Sequence, residues 1–438
     1  MNTRPVVRER GSACKVAKRR SILAIFLAAS VVPAQTSPGK ATATSNMALI
    51  PGATFEMGTD TSEIPKLMER FGVKRAALFD EESPRYKVSI GSFYLDRTEV
   101  TNLEFKRFVD GNPEWSKDKI AAAFHNGKYL QNWNGNVFPA GQEDHPVVFV
   151  SWYAAHAFCQ ANGKRLPTEA EWEFAARGGL DGKAFPWGDE MPDKTRANYG
   201  ASGLKAATAV GSYIANGYGL RDMAGNVWEY LADEWQKYPR NSNNGNVSDQ
   251  DFLKIKTRRA LRGGSYAGSP VNLRVTYRDS HAPEDAGDHV GFRCAMTNPE
   301  QSEAVNELLR MHHRDRAAHF DRDAGYIFSN FADEYFSIGN GRVTSPDRSA
   351  GQKRMQAYLD SSIFLEWDDI TPPIIRLSND ETLAYVLVNK RVRLLSKNEG
   401  GKQQEETEVF AWTTTLRKIA GKWKVTSVTS TRTPGADK

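Results

Sequence analysis

"NGYGLRDMAGNVWEYLADEW", residues 216–235, decides the reading of the larger part of this chain. Glycines at 217, 219 and 225 sit among Tyr218, Trp228, Tyr230 and Trp235, with no sustained helical period. Turn formers set beside large rings describe a domain held by tight turns and packed aromatics rather than by long helices. The same texture runs from Met47 to about Met296.

Two short helices interrupt it. In "TEVTNLEFKRFV" (98–109), Thr101 and Glu104 have the spacing of a capping box, with Leu103, Phe105, Phe108 and Val109 available for burial. In "GKRLPTEAEWEFAARGG" (163–179), Pro167 precedes an N-cap at Thr168 and Glu171 completes a second box. Trp172, Ala175 and Ala176 share a face, and Gly178–Gly179 ends the helix.

A chain of 438 residues, 40% hydrophobic and 25% charged, is long enough for two or three domains with real cores. The formal charge of +5 comes from the N-terminus, because residues 1–34 hold seven of the 58 basic residues and one of the 53 acidic ones. The remainder is close to neutral, which gives no electrostatic case for nucleic acid or anionic lipid. Residues 1–34 read as an export signal: "KVAKRR", the apolar run "ILAIFLAASVV", then small residues before a cut after Ala34. The run is too short to span a bilayer, and the basic flank argues against a core helix. Both the general secretory and the twin-arginine routes stay open at Arg19–Arg20. The expected location is the periplasm or the exterior, with no integral membrane segment after cleavage. Residues 35–45 form a polar linker.

The three cysteines are Cys14, Cys159 and Cys294. Cys14 leaves with the signal. In an exported protein the remaining pair reads most economically as one disulfide, two buried free thiols being the alternative.

Composition shifts at "TNPEQSE" (297–303). This places one domain over 46–297, a linker over 298–302, a second domain over 303–433 and a tail over 434–438. An amphipathic helix over about 302–323 is followed by period-two stretches at 382–395, 408–419 and 422–432, long antiparallel strands by pattern. The fold class expected for the whole is α+β. In "HHRDRAAHFDRD", His312, Asp315 and His319 share a helical face. A metal or acid–base site there competes with a solvated face, because arginines are interleaved. Tyr335, Tyr385 and Trp412 are candidates for a pocket lining or for core.

The first domain resembles the formylglycine-generating enzyme, or sulfatase-modifying factor, family. The resemblance rests on ordered stretches: "MALIPGATFEMGTD", "FYLDRTEVTNLEFKRFV", "HPVVFVSWYAAHAFCQANGKRLPTEAEWEFAARGG", "FPWGDE", the opening stretch, "RALRGGSY" and "GFRCAM". It implies a C-type-lectin-like fold with little regular structure, and places Cys159 and Cys294 where such proteins carry a structural disulfide. It implies a calcium turn with side-chain oxygens from Asp222 and Glu229 and carbonyls from Gly225 and Val227, against the alternative of a turn in which Asp222 caps amides. A second calcium site would begin at Asn198 and Tyr199, but "GASGLKAATAV" lacks the carboxylate it needs.

Formylglycine-generating members carry two reactive cysteines after "RGGS". Aligned from Arg262, those positions are Gly268 and Leu273. Neither can bind copper(I) or cycle as a thiol, so copper is disfavoured. The implied cleft gathers Trp228, Arg262, Ser265, Gly268, Leu273, Arg274, Tyr277 and Arg278. "HAPEDAGDH" offers His281, Glu284, Asp285 and His289 to iron, the alternative being a polar loop. One exported branch of the family acts in siderophore maturation without the cysteine pair, and the chain resembles it in both respects. Residues 303–433 resemble the nuclear-transport-factor-2-like (SnoaL-like) superfamily, a cone of curved sheet around helices, used for binding, catalysis or dimerisation. Two functions follow as expectations. One is an oxidoreductase-like enzyme working without copper and thiols. The other is a non-catalytic lectin-like module for a small molecule, peptide or glycan, with a cone that binds ligand or dimerises.

Overall fold

The computed structural model describes residues 44–239, 254–299, 302–339, 342–397 and 403–432. The signal expected over 1–34 and the tail over 434–438 lie outside the described residues, as does most of the linker over 35–45. Among the described residues no helix is long and apolar enough to cross a membrane.

The first domain carries strands β1 (Met47–Ile50), β2 (Ala53–Met57), β3 (Tyr86–Ile90), β4 (Phe93–Asp96), β5 (Trp228–Glu234), β6 (Arg259–Arg262), β7 (Asp279–His281), β8 (Val290–Gly291) and β9 (Ala295–Thr297). Its helices are α1 (Ile64–Phe71), α2 (Ala77–Asp80), α3 (Asn102–Gly111), α4 (Trp152–Ala161) and α5 (Glu169–Arg177). Three small sheets result, ordered β1-β4-β9, β2-β3 and β7-β6-β5-β8. Both capping boxes form: Thr101 accepts from the Glu104 amide and Thr168 from the Glu171 amide, with each glutamate reaching back. Gly178 closes α5 in the left-handed region, as its lack of a β-carbon allows. Every residue of α5 is buried, including Glu169 and Glu173. A cluster of stacked and edge-on rings, Phe105, Phe108, Phe158 and Phe292, fills the core between α3 and α4. Cys159 and Cys294 are fully buried there and bonded to one another across 135 positions, which sets aside the free-thiol alternative.

The second domain carries α6 (Glu303–Phe320), α7 (Ala324–Ser329), α8 (Arg348–Ser361), and strands β10 (Phe331–Gly339), β11 (Arg342–Thr344), β12 (Ile363–Leu377), β13 (Leu383–Lys397), β14 (Gln403–Ile419) and β15 (Lys422–Arg432). They form one sheet ordered β11-β10-β15-β14-β13-β12, antiparallel except for β10 with β15. The helices cover one face, giving the expected α+β cone. The period-two stretches are β13, β14 and β15. The sequence reading missed β12, whose Pro372–Pro373 pair argues against a strand. It is an edge strand with a register shift between Thr371 and Ile374, where missing amide donors are tolerated.

The two domains pack tightly. Leu49 of β1 lies in the cone's core with Leu308, Leu309 and Ile375. The Gly52 amide donates to Asn306 Oδ1 (2.9 Å), and His313 bonds the Leu49 carbonyl (2.8 Å). Asp368 of β12 accepts from Arg316 (2.6 Å) and from Arg221 of the first domain (2.9 Å). Arg316 also donates to the Asn216 carbonyl.

Candidate functional site: a cleft floor on a buried ion network

The turn in the opening stretch and the "RGGSY" segment brace each other. The Gly225 amide donates to the Gly263 carbonyl and the Tyr266 amide to the Asn226 carbonyl, both at 2.8 Å. Gly225 has φ +84°, and a β-carbon on it would lie 2.2 Å from the Asn198 carbonyl oxygen, so only glycine fits. Asn226 ties the turn down further, receiving the Thr208 amide on Oδ1 and donating from Nδ2 to Glu99 Oε1.

The cleft residues expected from the sequence divide into two groups. Tyr266, Gly268 and Tyr277 are partly exposed, and Trp228 stands 6.0 Å from the Tyr277 ring. Ser265 is buried. Beside them Tyr266 bonds Asp288, whose Oδ1 meets His289 Nδ1 at 2.8 Å, and the His289 ring lies 6.0 Å from that of His281.

Arg262, Arg278 and Leu273 are buried, and Arg274, also mostly buried, borders a groove that it shares with Arg177 and Thr276. Arg262 is fully buried and donates to Glu169 (2.9 Å), Glu173 (2.9 Å), Tyr238 Oη (2.7 Å) and the Val275 carbonyl (2.8 Å). Arg278 shares Glu169 (2.9 Å) and lies 3.9 Å from the Tyr238 ring centroid. Arg274 pairs with Glu82 at 2.6 Å and stacks over Phe79. Unpaired charges in such a place would cost several kcal/mol each, so these arginines are spent on holding the floor together. Burial pushes the Tyr238 hydroxyl well above its ordinary range, so it stays protonated within the network. Leu273 is fully buried against Phe185, Ala197 and Tyr199.

Gly268 is part of a closed turn. Its amide donates to the Ser265 carbonyl, its carbonyl receives the Gly200 amide, and a β-carbon there would lie only 3.1 Å from Ser265 O. A side chain at this position would press on the Ser265 carbonyl, so the turn as it stands suits glycine.

The calcium turn meets its expected donors in part. Asp222 Oδ1 and Glu99 Oε2 are buried carboxylate oxygens without a hydrogen-bond partner. Burial raises the Asp222 carboxyl to about 6, and burial together with Asp222 raises Glu99 well above the carboxylate range. An added cation would relieve both. Glu229 does not fit: Arg293 takes both of its oxygens at 2.8 Å and Trp172 Nε1 adds a third bond. At the second site, Asn198 Oδ1 accepts from the Ser202 hydroxyl and Tyr199 Oη donates to the Pro192 carbonyl. Among the described residues no three His, Cys, Asp or Glu side chains are grouped to hold a metal, which leaves His281, Glu284, Asp285 and His289 without a ready-made iron site.

In the cone, His312, Asp315, His319 and Trp412 line one cavity with Trp367. The expectation of a solvated face fails for the histidines, because Arg314 turns to the surface and Arg316 to Asp368. Tyr335 opens instead on a neighbouring crevice beside Gly351 and Arg354, and Tyr385 is exposed on the outer face.

The sulfatase-modifying factor enzyme 1-like domain matches residues 33–298, and the chain belongs to that family. It is 34% identical over 314 residues to the formylglycine-generating enzyme of Streptomyces coelicolor, covering 61% of this chain and 96% of the relative. It is 33% identical over 296 residues to the inactive C-alpha-formylglycine-generating enzyme 2 of Bos taurus, covering 58% and 88%. Active and inactive relatives are thus equally near, so the site itself must decide. Among solved structures, PvdO from Pseudomonas aeruginosa is 24% identical with a TM-score of 0.43, covering 57% of this chain and 94% of that one.

Proposed function

We propose that the first domain is a ligand-binding member of its family that does not oxidise sulfatase cysteines. The observation that carries this reading is the fate of the thiols: Cys159 and Cys294 are bonded to each other, and the only other cysteine is Cys14. Copper(I) chemistry needs free thiolates, and no others are present in the sequence. The partly exposed Tyr266 and Tyr277 beside Trp228 suit a peptide or a glycan, whose flat faces pack on rings. In the test, the full-length protein is incubated with a CxPxR peptide, copper(I) and oxygen, and the peptide mass is followed. No aldehyde is expected; conversion of the cysteine would overturn the reading.

A second reading, oxidoreductase-like chemistry with iron, draws on the paired rings of His281 and His289. Stoichiometric iron in purified protein would favour it. Calcium belongs to our reading of the Asp222 turn, with the Gly225 and Val227 carbonyls as further ligands. Calcium is expected to raise the melting temperature, and Asp222→Ala to abolish that rise. Export to the periplasm or exterior is also part of the proposal and would appear as a mature N-terminus at Gln35. So is a dimer through the cone, whose outer sheet face exposes Ile374, Leu383, Tyr385 and Leu387.

A further inference from the structure

The cone encloses a cavity of about 380 Å³ between α6, α7 and α8 on one side and β12–β15 on the other. Its walls are apolar and aromatic: Met311, Phe331, Trp367, Val388, Phe410 and Trp412 among them. A volume near the lower end for ligand sites suits roughly 10–15 non-hydrogen atoms.

One corner is polar, and its chemistry is defined. His319 Nδ1 donates to the Asp315 carbonyl at 2.8 Å, which leaves Nε2 as the ring's acceptor. The ring stacks on Trp367 with centroids 3.8 Å apart, so its orientation is fixed. Burial lowers the His319 pKa, keeping the ring neutral and Nε2 unprotonated. The Trp367 indole N–H in the same stacked pair is buried with no hydrogen-bond partner. Most charges around the corner are paired, and the Asp315 carboxylate beside the neutral His319 is the exception. Asp369 bonds His312 (2.8 Å) and Lys390 (2.7 Å), Arg316 is tied to Asp368, and the Asp315 carboxylate stands 3.8 Å from His319 Nδ1. An anion would meet the Asp315 carboxylate, whereas Lys390 and Arg316 are already held by their own aspartates and do not line the cavity.

We propose that the cone is a binding site for a small, flat, non-anionic molecule bearing a hydroxyl group, with the hydroxyl donating to His319 Nε2 and the flat body lying against Trp367 and Trp412. A hydroxyl suits the corner because it can donate to the ring acceptor there, His319 Nε2.

The test uses full-length protein and calorimetric titration with three probes of one shape. 2-Naphthol is expected to bind about tenfold more tightly than 2-methoxynaphthalene, which cannot donate, and than 2-naphthoate, which is charged. His319→Phe keeps a ring on Trp367 and loses the acceptor, so it should erase the preference for 2-naphthol over the methyl ether. Thr414→Trp, on the sheet floor between Val386 and Val428, should fill the cavity and abolish binding of all three. Equal affinity for the three probes, no binding of 2-naphthol by the wild type, or an unchanged preference in His319→Phe would each overturn the proposal. The comparison among probes on the wild-type protein stands if either variant fails to fold, and Val388→Phe offers a milder filling of the same space.

Discussion

The cleft of the first domain and the cavity of the second are built on opposite plans. The cleft floor rests on ions: Arg262, Arg278 and Arg177 share Glu169 and Glu173 in a buried layer. The cone is hollow, lined with rings and aliphatic groups, and its few polar atoms serve one corner. A floor of paired charges holds a rigid shape whatever chemistry stands above it, because removing any member strands its partner. A hollow lined with apolar groups tolerates change in its walls and is selective only where its polar atoms lie. The first plan explains how a cleft can keep its frame while the groups above it differ. The second explains how a helix face that reads as ordinary can form a site.

The largest expected effect is at the floor. Arg262→Ala leaves Glu169, Glu173 and Tyr238 without their donor, and should cost about 3–5 kcal/mol in denaturant unfolding. A loss under about 1 kcal/mol would show that the floor is not held as described. Next comes the junction between the plans. Burial opposes ionisation of Asp368, but Arg316, Arg221 and Arg97 outweigh it and hold the carboxyl at about 2, below its ordinary 3.8. Its folded pKa is depressed, so its contribution of about 2 kcal/mol is present above pH 4 and lost as pH falls towards 2. Asp368→Asn should therefore be less stable at pH 7 and show a flatter acid limb between pH 4 and 2. Scanning calorimetry should resolve two transitions where the wild type gives one. The smallest effect belongs to the hollow wall: Val428→Ala, beside space that is already open, should cost no more than about 1 kcal/mol. A larger loss would mean that the wall is packed rather than hollow.

Much of this fold was legible in local chemistry. Capping boxes at Thr101 and Thr168 are read within four residues, and β13 to β15 announce themselves by alternation. The cysteine pairing followed from parity and resemblance. What escaped were partnerships across long separations. Arginines in "RGGSYAGSPVNLRVTYR" read as cleft residues, because nothing nearby shows that Glu169, Glu173 and Glu82 wait for them in the core. One signal was available: α5 carries three glutamates, of which Glu169 and Glu173 are four apart and so share a face, and buried carboxylates demand cations. Glu229 reads as an ion ligand until Arg293, 64 positions on, is seen to hold it. The cone site was obscured by Arg314 and Arg316, whose charges suggested solvent although they point away from the cavity.

The junction of Leu49, Gly52 and Asn216 with α6 bears on how this protein can be taken apart. A shortened chain ending at Thr297 would have a strand whose apolar side chain and carbonyl face open water, and an Arg221 without its aspartate. The cone therefore closes the first domain as a keystone closes an arch. Grafting either half onto another partner would require that partner to reproduce the face of α6 and the edge of β12.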